Sequence, residues 1–399
     1  MLEFERLTPE PGPDADSVRH EWVARCTSAE GDVLAVDGIA TVWDLLVDGQ
    51  VVLSGESAFE RPAVEIPPGE HEVRIVVHPL TDLLATLPTK PRQRWRTMLV
   101  EEAKLRWVRT QVLGRAPGFS PGPPVVGPFL PVTVGPNRPR LRSWLEGTTG
   151  VVELNGRRHL EIEDAALWWP HTHGTPRLHD VEHGGELVAR VGFRTVENRS
   201  ENGSLDLWVN GVRVFCRGAV WTPGDLGALD EAVALGLNLV RVPGIAAYES
   251  DAFHARCDEL GLLVWQDLMF ATFDYPLADE SFVETVTLEA GTEAFRLAAH
   301  PSTVVICGSA EHEQQAAMFG ISPSTGYAGE LAALLRPAVE ASGRDTIWVD
   351  SSPSGGDPVI RVDTGIAQYF GVGAYLRDLP DVRHSRVGFA AECLSLIHI

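Results

Sequence analysis

The chain has 399 residues, with 33 Lys and Arg against 55 Asp and Glu for a net charge of −22. Hydrophobic residues make up 44% and charged residues 22%, which excludes an intrinsically disordered chain. No apolar run reaches the ~18 residues of a membrane span, and no basic stripe exists to bind phosphates, so neither a membrane nor a nucleic-acid partner is expected.

At roughly 100–200 residues per domain, two or three domains are expected. The opening MLEFERLTPEPGPDAD is acidic and Pro-rich, with no apolar leader core, so a cytoplasmic location is expected. Cys26, Cys216, Cys257, Cys307 and Cys393 are far apart and form no C-x-x-C pair. They read as buried small hydrophobes in a reducing compartment, not as a disulfide framework or zinc site.

Residues 1–138 read as a jelly-roll-like β-sandwich. Short strands in VLAVDGIATVWDLLVDGQVVLSG and HEVRIVVH are split by Asp-Gly turns, a hairpin signal. Helical periodicity between Leu84 and Leu113 predicts a helical insertion, followed by a Gly- and Pro-dense loop. Residues 139–200 read as a second, short β-domain, including GVVELNG and ELVARVGFRTVE. A full immunoglobulin-like sandwich takes about 100 residues, so this domain is abridged or incomplete.

From residue 201 onward, apolar strands alternate with helices. VRVFCRGAVW, LNLVRVP, LLVWQDLMF, STVVICGSAE, DTIWVDSS, DTGIAQYF and SRVGFAAE read as seven strands. Continuous apolar strands between helices indicate a parallel sheet buried on both faces. Seven in series predict a (β/α)8 barrel over 201–399 lacking its last unit, with a doubly wound open sheet as the alternative.

Reactive groups of such barrels sit at the C-terminal strand ends. Those ends carry Trp221, Arg241, Asp267, Glu311, Ser351, Ser352, Tyr369 and Glu392. Glu311 and Glu392 directly follow apolar runs and should be partly desolvated. Two such carboxyls in unlike environments suit an acid and a nucleophile for glycoside hydrolysis, or they are ion-paired structural groups. Asp267 either contacts substrate, caps a helix or pairs with Arg241; Tyr369 and Trp265 are either site residues or core aromatics.

HPSTVVICGSAEHEQQAAM and LNLVRVPGIAAYESDAFHARCDELGLLVWQDLMFATFDYP resemble glycoside hydrolase family 2, particularly its β-mannosidase branch. VNGVRVFCRGAVWTPGD resembles the family's barrel entry, and RVGFAAEC its nucleophile strand. GIATVWDLLVDGQVV and VGFRTVE resemble its preceding β-domains. The resemblance implies a retaining exo-β-glycosidase acting on a small carbohydrate, with Glu311 as acid/base and Glu392 as nucleophile. It implies that Arg241 organises the nucleophile, that Tyr369 hydrogen-bonds it, and that Asp267 and Trp265 serve the sugar pocket. No cofactor or metal is required by that chemistry.

The chain departs from the family pattern in places. Ala310 stands where the family has an Asn that binds the sugar 2-hydroxyl, and Pro243-Gly244-Ile245-Ala246 replaces its W-G-G-G turn. Gln368 stands where the sixth strand often has His. The mannose-contacting loop corresponds to Phe119-Ser120-Pro121-Gly122-Pro123, with no acid. These leave open a sugar-binding homologue without turnover, or galactosidase or glucuronidase specificity. Trp168-Trp169-Pro170-His171-Thr172-His173 contains H-x-H but no nearby third ligand, so a structural role is expected. Glu392 lies seven residues from the final Ile399, and a fragment with an unrelated tail from about Leu396 is expected.

Overall fold

The computed structural model describes residues 1–117, 120, 122–321 and 329–393. Phe119 and Pro121 of the candidate mannose loop, and the tail from Leu396, lie outside the described residues. The chain divides into two compact units, Met1–Arg138 with Phe273–Glu289, and Pro139–Thr272 with Ala290–Ile399.

The first unit holds an antiparallel five-stranded sheet in the order Glu5–Arg6, His20–Ser28, Gly69–Val77, Trp43–Val47, Gln50–Gly55. A three-stranded sheet runs Val132–Pro136, Asp32–Val36, Ala63–Glu65. Trp43–Val47 alternates buried and half-buried residues, the period of a strand covered on one face. Its hairpin turn uses Asp48 and Gly49 at φ +49° and +82°, the left-handed pair that matches strand twist. Trp22, Trp43, Leu45 and Ile75 of the larger sheet share one apolar cluster with Leu34, Val36 and Val132 of the smaller.

The expected helix between Leu84 and Leu113 does not form. The α-helix covers only Leu80–Thr86, and a short 3-10 turn covers Ala103–Trp107. Pro88 and Pro91 lack the N–H a helix needs, so the first helix stops before them. Ion pairing then dictates the path. Arg94 Nη2 reaches Asp274 Oδ1 at 2.7 Å, and Arg109 Nη2 reaches Glu289 Oε1 at 2.7 Å in a buried pair. The helical spacing of the leucines was a coincidence of composition.

The second unit opens with an antiparallel meander of Leu141–Glu146, Thr149–Leu154 and Arg157–Ile162, then a hairpin of His179–His183 with Glu186–Val191. Val152, Val181, Val191 and Phe193 close a small core between them. VRVFCRGAVW is not one strand. Val212–Arg213 ends an antiparallel sheet and Gly218–Val220 starts a parallel one. Buried Asn238 holds the break open: its amide donates to Phe215 O at 3.0 Å, and its carbonyl accepts from Arg217 N at 2.8 Å.

The parallel strands follow in chain order. Gly218–Val220, Leu239–Val242, Leu263–Asp267, Thr303–Cys307 and Ile347–Val349 form one five-stranded sheet with neighbours in sequence adjacent in space. Ile366–Tyr369 and Phe389–Cys393 form a separate parallel pair. Every residue of the third and fourth strands is buried, as a sheet covered on both faces requires. Leu239, Trp265, Val305, Val349 and Ile366 belong to one core cluster, with Phe389 packed against it. A cavity of about 480 Å³ lies between the first and seventh strands, lined by Phe215, Val220, Trp265 and Phe389 among others.

The cysteines are all free, but only Cys257 and Cys307 are buried; Cys26 and Cys216 are half-buried and Cys393 is exposed. Thiols are small enough to sit at strand ends as well as in the core. Among the described residues no helix is long and apolar enough to cross a membrane.

Candidate active site

The C-terminal ends of the parallel strands converge around Arg241. This residue is the penultimate one of the second strand and is 2% exposed. Its Nη2 donates to Asp267 Oδ2 at 2.7 Å, and its Nη1 donates to Glu392 Oε2 and to Ala391 O, each at 3.3 Å. One buried cation therefore joins carboxylates from the third and seventh strands. Burial alone would lower the pKa of the guanidinium, but the two anions outweigh it and push the pKa up.

Asp267 is fully buried and fully engaged. Besides Arg241, it accepts the Trp265 indole N–H on Oδ1 at 2.7 Å and the Gly244 backbone N–H on Oδ2 at 3.1 Å. Of its expected roles, the ion pair with Arg241 forms. Trp265 is wholly buried, and its ring stacks on Phe389 with centroids 5.6 Å apart. A sugar platform needs an accessible face, so this indole reaches the site through Asp267.

Glu311 immediately precedes the helix His312–Met318, after the fourth strand. Its backbone is left-handed at φ +58°, uncommon for a residue with a Cβ. Its N–H donates to Ser352 O at 2.8 Å, beyond the fifth strand. Burial pushes its carboxyl up to about 7, and the charge of Glu392 adds to the shift. Arg241 and hydrogen bonding from the Gln315 and Gln368 amides oppose it. Gln315 Nε2 reaches Glu311 Oε2 at 3.4 Å. Sequence reasoning missed Gln315, although its i+4 spacing on the helix was a usable signal.

Tyr369 ends the sixth strand, but its hydroxyl donates to Asp381 Oδ2 at 2.5 Å. A hydroxyl has one proton to give, so the expected hydrogen bond from Tyr369 to Glu392 is not made. Gln368, its neighbour, pairs in register with Glu392, and its Nε2 donates to Ser352 O at 3.3 Å. Ser309 Oγ and Ser351 Oγ bond each other at 3.1 Å, and the Trp221 indole donates to Glu249 at 2.7 Å. The structure thus joins Arg241, Asp267, Trp265 and Glu392 directly, couples Glu311 to them electrostatically, and turns Tyr369 aside.

The H-x-H stretch staples backbone. Trp168 Nε1 donates to Asp258 O at 2.8 Å, and His171 Nε2 bonds Leu237 O at 2.9 Å. Among the described residues, no group of three or more His, Cys, Asp or Glu is placed to hold a metal ion.

No protein-family model matches the chain. It is 33% identical to the β-mannosidase of Rattus norvegicus over 233 residues, 50% of this chain and 26% of that protein. It is 35% identical to β-mannosidase B of Aspergillus flavus over 177 residues, 39% of this chain and 21% of that one. The crystal structure of a β-D-mannosidase from Dictyoglomus thermophilum matches with a TM-score of 0.75 at 21% identity, over 98% of this chain and 61% of that chain. The match therefore spans about a quarter of the length of the curated relatives. The chain is thus similar to β-mannosidases, in sequence over half its length and in fold over nearly all of it.

Proposed function

We propose that the protein is a retaining β-glycosidase acting on terminal β-linked sugars, β-mannosides foremost, in a reducing, cytoplasmic setting. In this reading residues 1–138 form a sugar-binding-like sandwich, 139–200 an abridged immunoglobulin-like domain, and 201–399 an incomplete (β/α)8 catalytic barrel. The observation that carries it is the pair of unlike carboxyls. Glu311 is pushed up to about 7, while Glu392 is ion-paired with Arg241 at 3.3 Å. A protonated acid and an ionised nucleophile facing one substrate at neutral pH is what double displacement requires.

The steps follow from those states. Glu311 gives its proton to the glycosidic oxygen while a Glu392 oxygen attacks the anomeric carbon. The bond to the leaving group breaks, and a glycosyl ester on Glu392 forms. Glu311, now a carboxylate, takes a proton from water. The water oxygen attacks the anomeric carbon, and the ester bond to Glu392 breaks. Arg241 holds the Glu392 carboxylate at 3.3 Å before attack and steadies it as the leaving carboxylate. Asp267 and Trp265 hold Arg241 in place, while Tyr369 is engaged by Asp381.

The test is turnover of 4-nitrophenyl β-D-mannopyranoside by Glu392→Ala and Glu311→Ala. Each is expected to lose roughly 10²–10⁴-fold in kcat; undiminished turnover in either variant overturns its assigned role. The second reading, sugar binding without turnover, is favoured by the methyl group at Ala310. It predicts calorimetric binding of methyl β-D-mannopyranoside with no hydrolysis across aryl β-mannosides, galactosides and glucuronides.

A further inference from the structure

The outer face of the three-stranded sheet in the first unit carries a cavity of about 320 Å³, near the lower limit for a small-molecule site. Strand alternation explains how it forms. Leu34 and Val36 belong to the apolar core, which leaves Val33, Ala35 and Asp37 on the outer side. Ala63, Ala35 and Thr133 stand side by side across the three strands, and Gly135 stands beside Val33. Side chains this short leave a trough above the backbone. Asp37, Arg61, Asn137 and Arg138 complete its lining.

The charges of that lining do not balance. Arg61 Nη1 reaches Asp37 Oδ1 at 3.5 Å, and Arg138 Nη1 reaches Asp37 Oδ2 at 3.3 Å. The lining holds two guanidiniums and one carboxylate, an excess of positive charge in a chain whose net charge is −22. Elsewhere in the same unit arginine grips a carboxylate closely. Arg109 Nε and Nη2 take the two oxygens of Glu289 at 2.7 Å each. The contacts to Asp37 are longer, and an external carboxylate can improve on them. The Arg61 side chain is only 11% exposed, so a charge-assisted hydrogen bond there is poorly screened, while the 52% exposed Arg138 leaves the trough open to entry. Asn137 and Thr133 offer an amide and a hydroxyl to hydroxyl groups beside the anion. Glu65 lies two residues beyond Ala63 on the same face but does not line the cavity. The excess suits a monoanion better than a phosphate group, whose charge at neutral pH is about −1.5 to −2.

We propose that this trough binds a small hydroxylated carboxylate, its carboxylate lying between Arg61 and Arg138 and its hydroxyls on Asn137 and Thr133. In the free protein Asp37 engages the two arginines in place of that ligand, as a resident competitor. All of these residues belong to the first unit, and none is shared with the Glu311 and Glu392 pair. The site therefore adds a binding activity to the proposed hydrolase and is tested apart from it.

The experiment is calorimetric titration of the full chain with methyl β-D-glucuronide and with L-lactate, against methyl β-D-glucoside and inorganic phosphate at matched ionic strength. At least one of the carboxylates should bind about ten-fold or more tightly than the neutral glucoside and phosphate, and the tighter of the two tells a sugar-borne acid from a free one. Arg61→Met and Arg138→Met should each weaken that binding about ten- to hundred-fold, the loss of a hydrogen bond to a charged group. Asp37→Asn keeps the shape and removes the competing anion, so it should tighten binding about two- to ten-fold. Carboxylates that bind no better than the glucoside, or phosphate that binds as tightly as either, overturn the proposal. So does an Asp37→Asn variant that binds more weakly than the unaltered chain. Affinity that survives both arginine variants lies elsewhere on the chain and overturns this site. Should Arg61→Met not fold, unchanged affinity in folded Arg138→Met overturns it equally.

Discussion

The antiparallel strands of the N-terminal unit and the parallel strands of the second unit handle charge in opposite ways. In the antiparallel sheet part of one face stays open to solvent, so Arg74 meets Glu21 at 3.2 Å and Glu72 at 3.0 Å in half-exposed pairs. In the parallel sheet both faces are covered, and a charge can persist only beside its counter-charge. Arg241, at 2% exposure, and Asp267, at 0%, do so. The same side-chain types are ornaments on one sheet and structural commitments in the other. Polar residues inside the parallel sheet therefore mark where function outweighs stability.

The sharpest way to break this contrast is to orphan the buried cation. Asp267→Ala should cost about 3–5 kcal/mol, read from urea unfolding, because Arg241 is left desolvated with only a 3.3 Å partner. Adding Arg241→Met should restore much of the loss. A single mutant as stable as the parent would mean that the pair is not desolvated in solution.

The next effect is pH-dependent. Glu311 is raised to about 7, so the folded state holds a proton that the unfolded chain has released above the ordinary glutamate range near 4.5. Its cost to the fold is absent below pH 4.5 and grows to its full value above pH 7. Relative to Glu311→Gln, the parent should lose on the order of 3 kcal/mol across that window. Parallel stability profiles for the two proteins would refute a buried, neutral Glu311. The smallest effect belongs to the exposed network: Arg74→Met should change stability by at most about 0.2–1 kcal/mol, and by less in high salt. A larger loss would erase the distinction between the two sheets.

The sequence was most legible where burial is total. LLVWQDLMF and STVVICGSAE announce their strands by unbroken apolar runs, and both strands form with every residue buried. Glu311, Glu392, Arg241 and Asp267 were legible as polar residues at the ends of such runs. What local pattern could not supply was long-range pairing. The stretch from Leu84 to Leu113 has helical spacing, yet Arg109 follows its partner Glu289, which is 180 residues away. Tyr369 sits one residue from the position that faces Glu392, and a residue on the next helix, Asp381, accepts its hydrogen bond. Gln315 was visible only once Glu311 was fixed at the head of a helix.

The left-handed backbone at Glu311 has a consequence for how freely this position can vary. Gly, Asn and Asp are the residues that adopt φ +58° at little cost, and none of them carries a carboxyl as far from the chain as Glu does. Any drift away from glutamate must therefore give up either the backbone turn or the reach of the acid. Because the Glu311 N–H also holds Ser352 O at 2.8 Å, surrendering the turn would loosen the strand end that seats Gln368. The position is constrained twice over, and the two constraints pull apart: the shape of the chain favours Gly, Asn or Asp, while the proposed chemistry calls for Glu.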